Sequence, residues 1–278
     1  MGYKTILLHV NDERRVSGLV GVAAAIAERF EAHIIGLYVL PPVPTYGATS
    51  VGAGMIKSGM AAFKKEAERV QAAFETACKG HAVVSEWRLI DPKHNGVAET
   101  VMDHGRAADL IIASQRDPAF DFTALLDVPE RLVIEAGRPV LVIPNVGSYN
   151  IIGKRVTVAW NGRREAARAT FDALPLLKAA QNVRIVWVNP QAEAGTAGDL
   201  PTVEIAAALA RHGVKCEAAT ATAPDLAVGD TLLSGLVDDG TDLLVMGAYG
   251  HSRIREFIFG GATRHILQHM TTPVLMSH

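Results

Sequence analysis

Along this chain, short apolar runs alternate with longer segments of helical spacing. Runs at 5–10, 34–40, 110–113 and 139–143 are rich in Val, Ile and Leu, and 83–89 reads as a further strand of similar length. Apolar runs this short and this continuous predict strands buried on both faces, as in a parallel sheet. Between them, 16–30, 59–79, 94–105 and a segment ending at 131–136 predict helices; in 59–79, Phe63, Ala67, Val70 and Phe74 recur at helical spacing. Asp12 stands where a helix N-cap belongs. Pro41, Pro42 and Pro44 interrupt the alternation, and 41–58, with its Gly, Pro, Ser and Thr, predicts a long loop.

Residues 144–153 read as a linker. The order then returns, with strands at 156–160, 183–188, 214–219, 243–246 and 273–276 and helices at 163–179, 201–212, 229–239 and 262–270. The letters repeat too. Ala108-Asp109-Leu110-Ile111-Ile112 matches Thr241-Asp242-Leu243-Leu244-Val245, and Arg138-Pro139-Val140-Leu141-Val142 matches Thr272-Pro273-Val274-Leu275-Met276. Residues 4–11 match 154–161 less closely. A duplicated strand–helix unit predicts an α/β protein with two tandem five-stranded parallel sheets, over 1–146 and 153–278. Right-handed crossovers would put helices on both faces of each sheet.

Composition narrows the function classes. The chain has 278 residues, 49% hydrophobic, with 27 basic against 29 acidic residues, so it can build two cores. It carries no basic block of the kind that grips nucleic acid. No apolar run reaches membrane-spanning length, and the N-terminal apolar run is too short for a signal peptide. Cys78 and Cys216, one in each half, form neither a disulfide framework nor a four-cysteine zinc site. A cytoplasmic protein is the expectation.

The chemistry concentrates in 242–276. A buried strand ends at Gly247, Gly250 follows, and Gly260 and Gly261 open the last helix. Glycine lets backbone turn sharply and approach a ligand, and free N–H groups at a helix start favour an anion. No Gly-Lys-Ser/Thr closes a Walker loop, and the dinucleotide Gly-x-Gly-x-x-Gly is absent. In the first half, Ser114-Gln115-Arg116-Asp117 follows the equivalent strand, and no glycine appears before Gly137.

The pattern Gly247-x2-Gly250-x9-Gly260, after a buried strand and before a helix leading to Pro273-Val274-Leu275, resembles the nucleotide loop of the universal stress protein family. The duplicated element order extends that resemblance over both halves, as a tandem protein. The resemblance implies the adenine nucleotide alpha hydrolase-like fold, with strand order 3-2-1-4-5 in each half. It implies ATP, or ADP or AMP, bound in the C-terminal half by Asn161, Val188, Gly247, Gly250, His251, Gly260, Gly261 and Thr263. Asn161 stands where the family commonly has Asp near the adenine or its ribose, and the backbone of Val188 matches an adenine contact. The family has Ser or Thr where this chain has Gly261, and the next hydroxyl is Thr263. The resemblance also implies pairing of the fifth strands, residues 139–143 and 273–276, into an internal pseudo-two-fold dimer, with further homodimerisation left open.

Other chemistry is sparse. His265 and His269 have the spacing of two metal ligands, but no third ligand and no zinc-protease glutamate accompany them, so they are read as surface histidines. Arg253 and Arg255 could add positive charge to the glycine loop, and Ser252 has no general base at an arguable spacing. No catalytic residue is assigned. A nucleotide-binding protein of stress response is the leading reading; a slow ATPase or other nucleotide-handling enzyme and a ligand-free scaffold stay open.

Overall fold

The computed structural model describes residues 2–42, 50–93, 95–117, 127–189, 200–223, 225–249 and 261–278, with 50–58, 200 and 201 described by backbone alone. The first half runs β1 (Thr5–His9), α1 (Glu13–Phe30), β2 (His33–Val39), α2 (Ser50–Cys78), β3 (Val84–Ile90), α3 (Val97–Gly105), β4 (Leu110–Ser114), α4 (Val128–Glu135) and β5 (Val140–Ile143). The second runs β6 (Arg155–Ala159), α5 (Arg164–Asp172), α6 (Leu174–Ala179), β7 (Asn182–Val188), α7 (Leu200–Arg211), β8 (Cys216–Ala221), α8 (Val228–Asp238), β9 (Leu243–Gly247), α9 (Gly261–His269) and β10 (Val274–Ser277).

All the strands belong to one ten-stranded sheet of order β3-β2-β1-β4-β5-β10-β9-β6-β7-β8. Within each half neighbours are parallel; β5 and β10 meet antiparallel, Val142 opposite Val274, Leu141 opposite Leu275 and Val140 opposite Met276. Both strands are buried along their whole length, which is why they read as unbroken apolar runs. Two hydrophobic layers cover the two faces, and each runs across the seam. Leu8, Ile112 and Leu141 share one layer with Val158, Val245 and Leu275; Leu7, Ile111 and Val140 share the other with Leu244, Val274 and Met276. Only the outer strands β3 and β8 show repeated exposure.

The repeated Ala/Thr-Asp-Leu letters have a structural cause. Asp109 accepts backbone hydrogen bonds from Lys4 and Thr5 at 2.7 and 3.0 Å, and Asp242 accepts them from Lys154 and Arg155. Each aspartate satisfies the amides that open the central strand of its half, groups the ladder leaves without a partner. Asp12 caps α1 as expected, accepting from the amide of Arg14 at 2.9 Å.

Three boundaries differ from the sequence reading. The loop expected over 41–58 is shorter, because α2 begins at Ser50; the two glycines and two serines of 50–58 lower helix propensity there without forbidding a helix. The helix expected over 163–179 is two helices. The chain breaks at Ala173, and Pro175, in the first turn of α6, has no N–H to continue the α5 ladder. The strand expected at 214–219 lies at Cys216–Ala221, because Gly213 turns at φ +82° and the amide of Val214 bonds back to Leu209 in α7. Among the described residues no helix is long and apolar enough to cross a membrane.

At the carboxyl end of β1 lies His9, 3% exposed, with its Nε2 unpartnered. Burial holds its pKa down at about 4, against an ordinary 6.5.

The seam predicts a strong substitution effect. Val274→Asp puts a carboxylate opposite Val142 within a buried apolar layer, and should lower unfolding free energy by roughly 3 kcal/mol or more. Denaturant unfolding followed by fluorescence should show the midpoint move for Trp87 in the first half as well as Trp160 and Trp187 in the second, since both layers cross the seam. His9 predicts an acid-side slope. The unfolded chain takes up the proton near pH 6.5 and the folded chain only near 4, so stability is full above about 6.5 and falls as pH drops towards 4. The loss is at most roughly 3 kcal/mol. A His9→Leu variant, followed by thermal melting across this window, should show a shallower loss.

Candidate functional site

In a sheet with helices on both faces, ligands bind beyond the carboxyl ends of the strands, where the strand order reverses. Here those points lie between β1 and β4 and between β6 and β9. At the second point there is a cavity of about 380 Å³, within the range of small-molecule sites. Its floor is Ala159 and Asn161 from the end of β6 with Met246 and Gly247 from the end of β9. One wall is the start of α8, with Val228, Gly229 and Leu232; the other is the start of α9, with Gly261, Ala262, Thr263 and His265.

Each position has a local cause. A Cβ on Gly247 would overlap the backbone of Glu165 and Ala166. Glycine therefore lets the first turn of α5 seat against β9, and the same residue lines the cavity floor. Asn161 lines the cavity, but its Oδ1 accepts from the amide of Arg163 at 3.1 Å and shapes the turn into α5. Thr263 is buried, and its Oγ1 accepts the amide of Tyr249 at 3.1 Å, tying the end of β9 to the first turn of α9. Tyr249 holds a left-handed φ of 53°, unusual for a residue with a side chain. Burial, with the nearby Glu130 carboxylate, raises its phenol pKa, so it stays neutral.

The cavity favours anions. Helix α8 starts from Ala227 with no side-chain cap, so the amides of its first turn have no acceptor from the cap residue. The start of α9 faces the same space, and both helix dipoles direct positive potential into it. His265, expected on the surface, lines this wall. Its Nε2 lies 2.8 Å from Asp230 Oδ1, its ring stacks on His269 at 4.3 Å, and a Cβ on Gly229 would come within 2.8 Å of it. The histidine pair is thus engaged with Asp230. Among the described residues no three His, Cys, Asp or Glu side chains are grouped to hold a metal ion.

Of the residues singled out from the sequence, Asn161, Gly247, Gly261 and Thr263 come together at the cavity. Val188 is buried at the end of β7 and is not part of the lining. Gly250, His251 and Gly260 lie outside the described residues. Sequence reasoning missed Ala159, Tyr249, His265 and the start of α8. Ala159 was within reach of the internal repeat, as its counterpart shows.

The register gives the counterpart. Ile6 pairs with Leu110 as Val156 pairs with Leu243, so His9 stands where the second half has Ala159, and Ser114 where it has Gly247. The first half thus carries side chains where the second has space, and among the described residues its cavity is about 20 Å³, room for one water. Arg15 closes it from the linker side, donating to the carbonyl oxygen of Pro144 at 2.6 Å and to Asn145 Oδ1.

Three similarities bear on the fold. The chain is 33% identical over 155 residues to the universal stress protein Slr1230 of Synechocystis sp., covering 52% of this chain and 49% of that one. The chain thus spans about half the length of that relative. A crystal structure of a universal stress protein from Archaeoglobus fulgidus DSM 4304 matches with a TM-score of 0.69 at 14% identity, over 98% of this chain and 97% of its own. A putative universal stress protein from Pseudomonas aeruginosa UCBPP-PA14 matches at 0.58 and 13%, over 99% and 93%. At such identities these two matches establish the shared α/β fold. The model of the universal stress protein family matches residues 153–278, the half whose switch point is open, so it is this half that is similar to the universal stress protein family.

Proposed function

We propose that the chain binds an adenine nucleotide, ATP or its ADP or AMP products, at the β6–β9 switch point and nowhere else in the chain. The observation that carries this reading is the contrast between two equivalent positions: about 380 Å³ in the second half and about 20 Å³ in the first. The phosphates would lie against the starts of α8 and α9, where first-turn amides and two helix dipoles meet. Gly261 and Thr263 would be nearest them; Gly250, His251 and Gly260, between β9 and α9 in the sequence, are the further residues that the resemblance brings to this site. The base would reach towards Asn161 and the backbone of Val188. Tyr249 and His265 are the added wall residues, and a neutral phenol and an imidazole can each donate to a phosphate or ribose oxygen.

In this reading the halves are tandem stress-protein domains, 1–146 and 153–278, forming an internal pseudo-dimer. The first has become structural and the second keeps the ligand. The nucleotide acts as a conformational or regulatory ligand in the stress response, in the cytoplasm.

Titration with ATP in a calorimeter should give one site per chain; two equal sites would refute the asymmetry. Ala159→His copies the residue that the first half already accommodates at the same strand position. It should reduce ATP affinity by at least about tenfold, roughly 1.4 kcal/mol, with little change in melting temperature. Thr263→Val keeps the shape and removes the acceptor of the Tyr249 amide. It should cost roughly 1–2 kcal/mol of stability and weaken ATP more than adenosine, because the loop it anchors borders the phosphate end. Equal loss for both ligands would argue against that placement.

A further inference from the structure

We infer that Gln115, in the half without an open cavity, is a positioning residue for the nucleotide site of the other half. This inference rests on the nucleotide reading of the β6–β9 cavity. Gln115 follows β4 directly, and its own amide is held by Ile143 at 2.7 Å. Its side chain leaves its own half. Nε2 donates to the carbonyl oxygens of Leu267 and Gln268 at 2.9 and 3.2 Å, in the last turn of α9. The last carbonyls of a helix lack intrahelical donors, so an amide that reaches them acts as a C-terminal cap.

The other end of the same side chain is fixed as firmly. Gln115 Oε1 accepts the backbone amide of Asn145 at 3.0 Å, and Asn145 Nδ2 donates to the carbonyl of Arg116 at 2.7 Å. Arg15 holds Pro144 and Asn145 from below. The plugged switch point of the first half is therefore a polar clamp built around Gln115, closed on the final helix of the second half.

What it clamps matters because α9 is short. Its nine residues span about 13 Å, too short to bend appreciably. Gly261, Ala262 and Thr263 at its far end line the cavity, and Thr263 sets the amide of Tyr249. A shift or tilt of α9 at Gln115 is transmitted to the wall assigned to phosphate. A second line runs parallel to the first. Glu130 of α4, in the first half, lies within electrostatic reach of both Arg264 on α9 and Tyr249. The half that has lost its own cavity thus holds the phosphate wall of the other.

The test uses the full chain with ATP and adenosine as probes. Gln115→Leu keeps the bulk and removes both hydrogen-bonding ends. ATP affinity should fall about tenfold, with adenosine affinity within about threefold of wild type. Gln115→Arg keeps a donor at the helix C-terminus and adds charge that suits it; it should return ATP affinity to near wild type. Unchanged ATP affinity in Gln115→Leu, equal loss of ATP and adenosine, or no rescue by arginine would overturn the inference. If Gln115→Leu does not fold, the wild-type chain provides the measurement by reciprocity: saturating ATP should slow hydrogen exchange of the Asn145 amide, and adenosine should not. Unchanged exchange there would equally overturn it. A wild-type chain that binds neither probe would instead remove the nucleotide reading itself.

Discussion

The antiparallel pairing of β5 with β10 is the constraint on which the rest depends. Each is an unbroken apolar strand, and either one left at a sheet edge would expose a row of unpaired backbone groups. Pairing them turns two five-stranded sheets into one of ten strands, with both hydrophobic layers continuous across the join. The seam is reinforced from outside the ladder. Tyr3 donates to the carbonyl of Asp172, and Tyr149 of the linker to that of Thr271. With the halves joined in this way, helices next to the seam sit beside elements of the other half. That is how a side chain after β4 comes to cap α9.

The two halves share a backbone plan and diverge in side-chain volume at the switch point. His9 against Ala159 and Ser114 against Gly247 put a larger side chain at one switch point where the other has a smaller one or none. The glycine at 247 belongs to two features at once. Without a Cβ, the first turn of α5 packs onto β9, and the same residue lines the cavity floor. Helix packing and cavity lining therefore coincide at this residue, and a substitution there would not isolate either one.

Much of the fold was legible because buried parallel strands leave a strong mark in sequence. Strands that bury both faces must be apolar throughout, and that pattern runs twice along the chain, with Asp109 and Asp242 at matching places. The boundaries were less legible where weak local preferences were overridden. Residues 50–58 carry Ser and Gly yet extend α2, whereas Pro175 divides a segment whose apolar spacing alone reads as one helix. Helix ends depend on which backbone groups find partners, and those partners are distant in sequence.

The sequence by itself determined the α/β class, the repeat, the glycine-bearing strand end at Gly247 and its lack of a counterpart after β4, because strand burial and glycine placement are local properties of the chain. The tertiary structure alone decided that Ala159 borders a cavity where His9 fills one, that Thr263 gives its oxygen to the Tyr249 amide, that His265 meets Asp230, and that Gln115 reaches α9. Each of these joins residues far apart in the chain, from 14 residues for Thr263 and Tyr249 to 152 for Gln115 and Leu267. Such contacts follow from the register of the sheet and the join between its halves, which no local pattern encodes.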